Sequence, residues 1–486
     1  MLAVNTRRKR LVAGLFFYPR GGSAQVVRSL GRVLPAAGWE VALVAGSLGE
    51  AGDRRHAPTF FRGLDVRSVD YSPAARLGEP LVAAVPGQLS YEDRRESADR
   101  VFARVDDATY EHLVSVWIEA LGAGGAESAD LLHLHHLTPL NEAAVRAFPH
   151  VSVVGQLHGT ELAMLRVIEA GAPSSWTYAQ QWAERMRRWA RSCARLILSS
   201  EAAARDALVL LDVEPWRISI VPNGIDPNLF DRSPLSGEAR LAHWHRALVE
   251  EPRGWDETGV PGTVTYSEED FDAFREGGAV LVYSGRYTEV KRIPLLIAAY
   301  AQASERFSRR SPLVLVGGYP GEYEGPHPLE AVRAASARGV FLAGWHEHNE
   351  VPEALNAADL LVLPSIAEAF GLVLIEAMAC GLPVIACAAY GPSAIVDEGE
   401  TGWLVPPDDE SALAQALVEA VANPGERRRR GALAYSHTRD RYAWSAIALR
   451  LARLYQEVAT LPDPGVQEDS TGFAREPKGG QARPAT

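Results

Sequence analysis

Short apolar runs, each closed by turn residues, recur along this chain with helical segments between them. LVAGLFF (11–17), WEVALVAG (39–46), LLHLHHL (131–137), SVVGQLHG (152–159), ARLILSS (194–200) and ISIVPNG (218–224) form one series. Each has the length and composition of a buried strand. SAQVVRSLGRVLPAAG (23–38), between the first two, reads as a helix. Such alternation predicts a doubly wound, mostly parallel α/β sheet. A second series follows at 280–284, 313–317, 340–343, 360–365 and 382–387. At 486 residues the chain is long enough for two full cores. Two facing Rossmann-like halves then place ligands between them, at the carboxyl ends of both sets of strands.

The first half is assigned 1–230 and the second 231–440. The stretch 231–277 fits neither sheet. It is polar, loop-rich and Trp-bearing, and reads as an insertion opening the second half, with Ser267 and Asp270 as a helix-capping pair. Residues 441–460 show helical apolar spacing. From Leu461 to 486 the composition turns to Pro, Gly and charge, which predicts a disordered tail.

Composition narrows the function classes. A formal net charge of −12 argues against nucleic acid as the main partner. Three cysteines, Cys193, Cys380 and Cys387, suggest a reducing cytoplasm and no disulfide framework. No apolar run reaches the roughly 18 to 20 residues of a membrane span. RRKRLVAGLFFYP resembles a signal peptide only briefly, because Pro19-Arg20-Gly21-Gly22 follows instead of a small-residue cleavage site. It reads as a first strand with a basic leader.

The chemistry concentrates in two places. In IAEAFGLVLIEAMACGLPVIA, Glu368 precedes Gly371, and LVLIEAMAC (372–380) reads as a helix capped by Gly381. The free N–H groups at that helix start attract an anion, typically phosphate. Glu376 lies about one turn in, and either carboxylate can accept paired sugar hydroxyls. In VLVYSGRYTEVKRIPLLIAAYA, Arg286 follows a strand and Lys291 opens a helix. Two fixed cations there can neutralise a departing diphosphate. Gly21 and Gly22, between the first strand and its helix, let the backbone approach a ligand closely. They do not form G-x-G-x-x-G, which counts against a dinucleotide oxidoreductase.

With these residues the chain resembles the retaining family-4 glycosyltransferases. EAFGLVLIE matches their E-x7-E signature and SGRYTEVK their G-R-x4-K element. YPRGGSAQ, HGTEL, VPNGID, the Gly344-Trp345 pair and DEGETGWLVPPDD fall in the family's order, spanning about 20 to 410. The resemblance implies a GT-B fold whose last helix, 441–460, crosses back to the first lobe. It implies a nucleoside diphosphate sugar as donor of a hexose-type sugar, transfer to an acceptor hydroxyl with retention, and no metal or other cofactor. Glu376 would then hold the ribose, Glu368 the donor sugar, and the backbone N–H groups of Phe370, Gly371 and Leu372 the sugar or diphosphate. Arg286 and Lys291 would stabilise the leaving group, and His158 would face the donor sugar from the first lobe. Gly21 and Gly22 would approach the donor. Two positions depart from the family pattern. Arg292 replaces a glycine, so the loop is stiffer or carries a third charge, and Glu161 replaces an aspartate.

Other signals read more plainly. His133, His135 and His136 share one strand without carboxylate or cysteine ligands at metal spacing, and read as packing residues. Asp270-Phe271-Asp272 imitates a metal-binding D-x-D but reads as a solvated helix face. WAERMRRWARSCAR (182–195) is basic with aromatic spacing, which allows peripheral membrane contact, although an ordinary helix is the simpler reading. The run from Glu426 to Arg430 reads as a solvated helix face. An epimerase, a phosphorylase and a catalytically silent sugar-nucleotide binder are the alternatives. The base, the sugar, the oligomeric state and the acceptor, whether small molecule, glycan or lipid, stay open at this level.

Overall fold

The computed structural model describes residues 8–77, 85–92 and 99–460. The predicted tail 461–486 and the first residues of the basic leader lie outside them.

Two parallel sheets organise the described chain. The first holds β1 (Lys9–Leu15), β2 (Trp39–Ser47), β3 (Asp65–Asp70), β6 (Leu131–His135), β7 (Val153–Gln156), β8 (Arg195–Leu198) and β9 (Ile218–Ile220), in the order β3-β2-β1-β6-β7-β8-β9. A short pair, β4 (Leu89–Ser90) and β5 (Arg100–Val101), stands apart between β3 and β6 in sequence. The second sheet holds β10 (Leu281–Gly285), β11 (Leu313–Gly317), β12 (Val340–Gly344), β13 (Leu360–Leu363), β14 (Val384–Cys387) and β15 (Gly402–Val405), in the order β12-β11-β10-β13-β14-β15. Every neighbouring pair runs parallel. Helices cover both faces, so the central strands bury nearly every side chain, which is why they read as continuous apolar runs. This is the two-lobed GT-B architecture.

In each sheet the order reverses once, between β1 and β6 in the first and between β10 and β13 in the second. At such a switch point two adjacent strands send their following loops in opposite directions and open a crevice. The loops after β1, β10 and β13 carry Gly21, Arg286 and Glu368.

The last helix, Trp444–Ala459, packs on the first lobe with Leu11, Val26, Val154 and Ile197. Its Tyr455 meets the Trp39 ring edge-on at 5.2 Å. The chain passes between the lobes twice, side by side. Ile225 N donates to Tyr442 O at 2.7 Å, and Trp444 N to Ile225 O at 3.1 Å.

Two expectations need correction, and a third is sharpened. Strands β3 and β15 and the short β4–β5 pair carry too few apolar residues, or sit too close to turns, to stand out from sequence. The stretch 231–277 contributes no strand, but it is not a loose polar insertion. Helices Gly237–His245 and Glu268–Arg275 bury Trp244, Phe271 and Phe274 in the second lobe's core, together with Trp255. The basic helix, Ala179–Ser192, turns Trp182 and Trp189 inward. Its arginines are ion-paired: Arg185 to Asp107, Arg187 to Glu169 and Arg188 to Glu142. It is the ordinary packed helix of the simpler reading. Ser267 and Asp270 do form a reciprocal capping box, and Asp272 pairs with Arg275 at 2.7 Å.

Candidate active site

The second lobe builds its half of the cleft from two loops on adjacent strands. After β10, a single tight turn (Glu289–Lys291) brings Lys291 back towards the strand end. Tyr283 Oη donates to Arg286 O at 2.7 Å and fixes the start of this loop. After β13, the loop runs to Gly371, whose φ of +100° turns it into the helix Leu372–Ala379. Ile366 N donates to Val290 O at 3.0 Å, joining the two loops. Across that seam the Lys291 ammonium forms an ion pair with the Glu368 carboxylate. Gly391 N holds Glu368 O from behind at 2.9 Å. Arg286 is less enclosed and reaches the first lobe, 3.7 Å from Glu92.

Glu376 sits on the fifth residue of its helix and is 8% exposed. Its Oε1 accepts from His348 Nε2 at 2.8 Å. Together with Leu372 and His348 it lines a recess whose other wall is Gln25 and Arg28 on the first-lobe helix Gly21–Val33.

Opposite the Lys291–Glu368 pair the first lobe contributes glycine and imidazole, while its arginines Arg20, Arg28 and Arg54 lie elsewhere along the cleft. A Cβ added at Gly22 would lie 3.2 Å from Leu372 Cδ1, so a larger residue there would press on the start of helix Leu372–Ala379. Gly159 is tighter. Its φ is +97°, and a Cβ would come within 2.6 Å of Ala369 Cβ. His158 precedes it. Its Nε2 lies 3.0 Å from His135 Nδ1, and its ring centroid lies 4.5 Å from that of His136. Burial, followed by repulsion from His136, keeps His158 well below the ordinary imidazole range, and burial does the same for His135. Burial lowers His133 to about 3, and its Nδ1 meets Tyr455 Oη of the last helix at 2.8 Å. Glu161 is fully buried and folds back on its own loop. It accepts from His158 N at 3.2 Å and lies 2.9 Å from His136 Nδ1. Burial works to raise its pKa, but His136 outweighs that and holds it at about 2. Ser199 and Ser200 each donate a hydroxyl to Ala369 O at 3.2 Å, which ties the first lobe to the loop bearing Glu368 and Phe370.

Two further contacts cross the cleft. Arg20 bonds Tyr18 Oη at 2.9 Å and approaches Glu322 at 3.6 Å. The Arg54 guanidinium lies over the rings of Trp345 and Tyr319, 4.1 and 4.4 Å from their centroids.

All the candidate site residues therefore lie on loops and helix starts at the carboxyl ends of the two sheets. The second-lobe residues Arg286, Lys291, Glu368, Phe370, Gly371, Leu372 and Glu376 fall on the loops after β10 and β13 and the helix that follows, where Lys291 meets Glu368, where Leu372 and Glu376 line one recess, and where Phe370 is buried. Gly21, Gly22 and His158 stand opposite them. His348, Glu92 and Arg20 also border the cleft, and no motif singles them out: the first two lie on loops, and Arg20 precedes the Gly21-Gly22 pair.

Two family models match along the chain: Glycosyltransferase Family 4 over residues 20–229 and Glycosyl transferases group 1 over 267–437. The chain belongs to the family-4 glycosyltransferases. Curated relatives of this glycosyltransferase include the D-inositol 3-phosphate glycosyltransferase of Corynebacterium efficiens, 30% identical over 57% of this chain and 60% of the relative. The protein of the same name from Corynebacterium urealyticum is 33% identical over 47% of this chain and 55% of the relative. The matched part thus spans somewhat more than half the length of these relatives. Among solved structures, sucrose-phosphate synthase from Thermosynechococcus elongatus superposes with a TM-score of 0.64 at 21% identity, covering 93% of this chain and 99% of that one. Anabaena HepE in complex with UDP-glucose superposes with a TM-score of 0.62 at 17% identity, covering 92% and 99%. These two share the fold.

The family frame explains both departures. Arg292 has φ +54°, the left-handed conformation that a glycine adopts without strain. Its guanidinium is bound to Asp408 at 2.7 Å, so it is not a third charge for the donor. Glu161, in place of aspartate, anchors the His158 loop from within.

Proposed function

We propose that this glycosyltransferase moves a hexose-type sugar, with retention, from a nucleoside diphosphate sugar to a hydroxyl of a small polyol or sugar phosphate, without a metal. The observation that carries the reading is the convergence of Arg286, Lys291, Glu368 and the start of helix Leu372–Ala379 on the β10/β13 switch point. A diphosphate there meets backbone N–H groups and two side-chain cations. Both become more favourable as charge builds on the leaving group, which lowers the barrier rather than only improving binding. Glu368 holds Lys291; in this reading a donor-sugar hydroxyl takes over its carboxylate and frees the ammonium for phosphate. Glu376, recessed beside His348, suits the ribose.

His158 stays neutral because of its burial and its imidazole neighbours. A neutral ring can donate to or accept from a sugar hydroxyl without repelling the positive character that develops at the anomeric carbon. No carboxylate nucleophile is assigned; the family resemblance favours a front-face route. Contacts across the cleft would exclude water, which otherwise competes as acceptor. The names of the inositol-phosphate relatives favour a phosphorylated small acceptor, and the UDP-glucose complex of HepE favours a uridine donor. A cytoplasmic location accords with such substrates, and no described helix is long and apolar enough to cross a membrane.

The test is direct turnover. UDP-glucose and UDP-N-acetylglucosamine are incubated with inositol phosphates and hexose phosphates in the presence of a chelator, and the anomeric coupling of the product is read by NMR. An α-linked product from an α-donor supports the reading. A β-linked product removes retention, loss of activity in chelator removes metal independence, and nucleotide-sugar turnover without any acceptor favours an epimerase.

A further inference from the structure

The loop after β12, Trp345–Glu350, touches the carboxylate proposed for the ribose. His348 Nε2 lies 2.8 Å from Glu376 Oε1, and Phe230 packs against the imidazole with centroids 5.1 Å apart. The loop is braced from below. Arg253 grips the Glu350 carboxylate with two nitrogens, at 2.8 and 3.1 Å, and the same carboxylate accepts from Glu347 N at 2.8 Å. His346 Nδ1 lies 3.1 Å from Gly344 O. A histidine on so fixed a loop cannot follow Glu376 if the carboxylate swings. It sets one rotamer.

From this geometry we infer that His348 is a positioning residue for nucleotide recognition: its Nε2–H pins Glu376 Oε1 so that Oε2 is presented to the ribose hydroxyls. The inference rests on the proposed role of Glu376. The pinned side chain is nearly enclosed, at 11% exposed, so an unpinned carboxylate has few other donors to satisfy it and would adopt a rotamer set by the bound sugar alone. Fixing it beforehand removes that ordering cost from binding. The effect must act through the ribose hydroxyls and nowhere else on the nucleotide.

Titration calorimetry tests this with UDP, GDP and ADP, each beside its 2′,3′-dideoxy counterpart, against wild type, His348→Phe and His348→Gln. In wild type, the preferred nucleotide should bind more tightly than its dideoxy form. His348→Phe should weaken the ribonucleotide about ten-fold, the size of one hydrogen bond to a charged group, and leave the dideoxy form within about two-fold. His348→Gln places an amide nitrogen where Nε2 lies and should restore ribonucleotide binding. An equal loss for both nucleotides in His348→Phe would show a merely structural role and overturn the inference, as would unchanged ribonucleotide affinity. If wild type binds a nucleotide but does not distinguish it from its dideoxy form, the ribose role of Glu376 fails, and this inference falls with it. If wild type binds none of the nucleotides, the reading of the whole cleft fails.

Discussion

The two rims of the cleft are built on the same plan and carry different groups at their centres. Both stand at the switch point of a parallel sheet. The second-lobe rim holds Lys291 and Arg286 as fixed cations, with Glu368 and Glu376 as acceptors. The first-lobe rim holds buried imidazoles, His135 and His158, beside the inward-turned carboxylate of Glu161. In the proposed reaction the second rim would answer a diphosphate that carries charge throughout, and the imidazoles a sugar that is neutral before and after transfer and positive only between.

The comparison breaks first at the cations. Lys291→Ala should lower turnover by about 10²–10³-fold and Arg286→Ala by about 10²-fold, the scale of one charge-stabilising donor. Steady-state kinetics with saturating donor measures this. Full turnover in both would mean that the second rim does not stabilise a leaving group. The next test separates the rims. Glu376→Ala should weaken nucleotide binding about ten-fold or more, whereas His158→Ala should leave it within about two-fold and act on turnover. Nucleotide affinity that falls equally in both would erase the division of labour. A smaller effect is geometric. Gly159→Ala must take up φ +97° and push a methyl against Ala369, so the lobes cannot seat fully. The expected result is a several-fold rise in donor KM with the fold retained, at a cost of about 1–2 kcal/mol in melting experiments.

The smallest expected effect per residue is pH-dependent. His133, His135 and His158 take up protons less readily in the folded chain than in the unfolded one. The unfolded chain therefore binds more protons below about pH 6.5, and stability falls as pH drops through that value. Glu161 acts the same way in a lower window: its contribution is present above about 4.5 and is lost towards about 2. Denaturant melts at pH 7 and 5.5 should differ by up to about 1 kcal/mol per imidazole, and His133→Gln should narrow the gap. A flat profile would mean that the first rim's imidazoles are more open to water than their packing indicates.

The sequence made the second rim more legible than the first. Charged groups at motif spacing beside apolar runs are a local signal, so Arg286, Lys291, Glu368 and Glu376 could be placed on their loops before any coordinates. The first rim depends on residues from β6 and β7 meeting in space, and no spacing predicts that His135 touches His158. His348 has the same difficulty, because its partner lies 28 residues away on another strand's helix. Composition misled in 231–277, where the polar average concealed Trp244, Trp255, Phe271 and Phe274 at core positions. In Arg292 the backbone kept the glycine conformation while the side chain found its own partner in Asp408.

The central claim is that a nucleoside diphosphate lies on the second rim. A crystal structure with UDP or another bound nucleoside diphosphate tests it most directly. The account predicts the diphosphate above Gly371, between the Arg286 guanidinium and the Lys291 ammonium, with the ribose hydroxyls on Glu376. A nucleotide seated on the loops of the first sheet, or away from both cations, would contradict it.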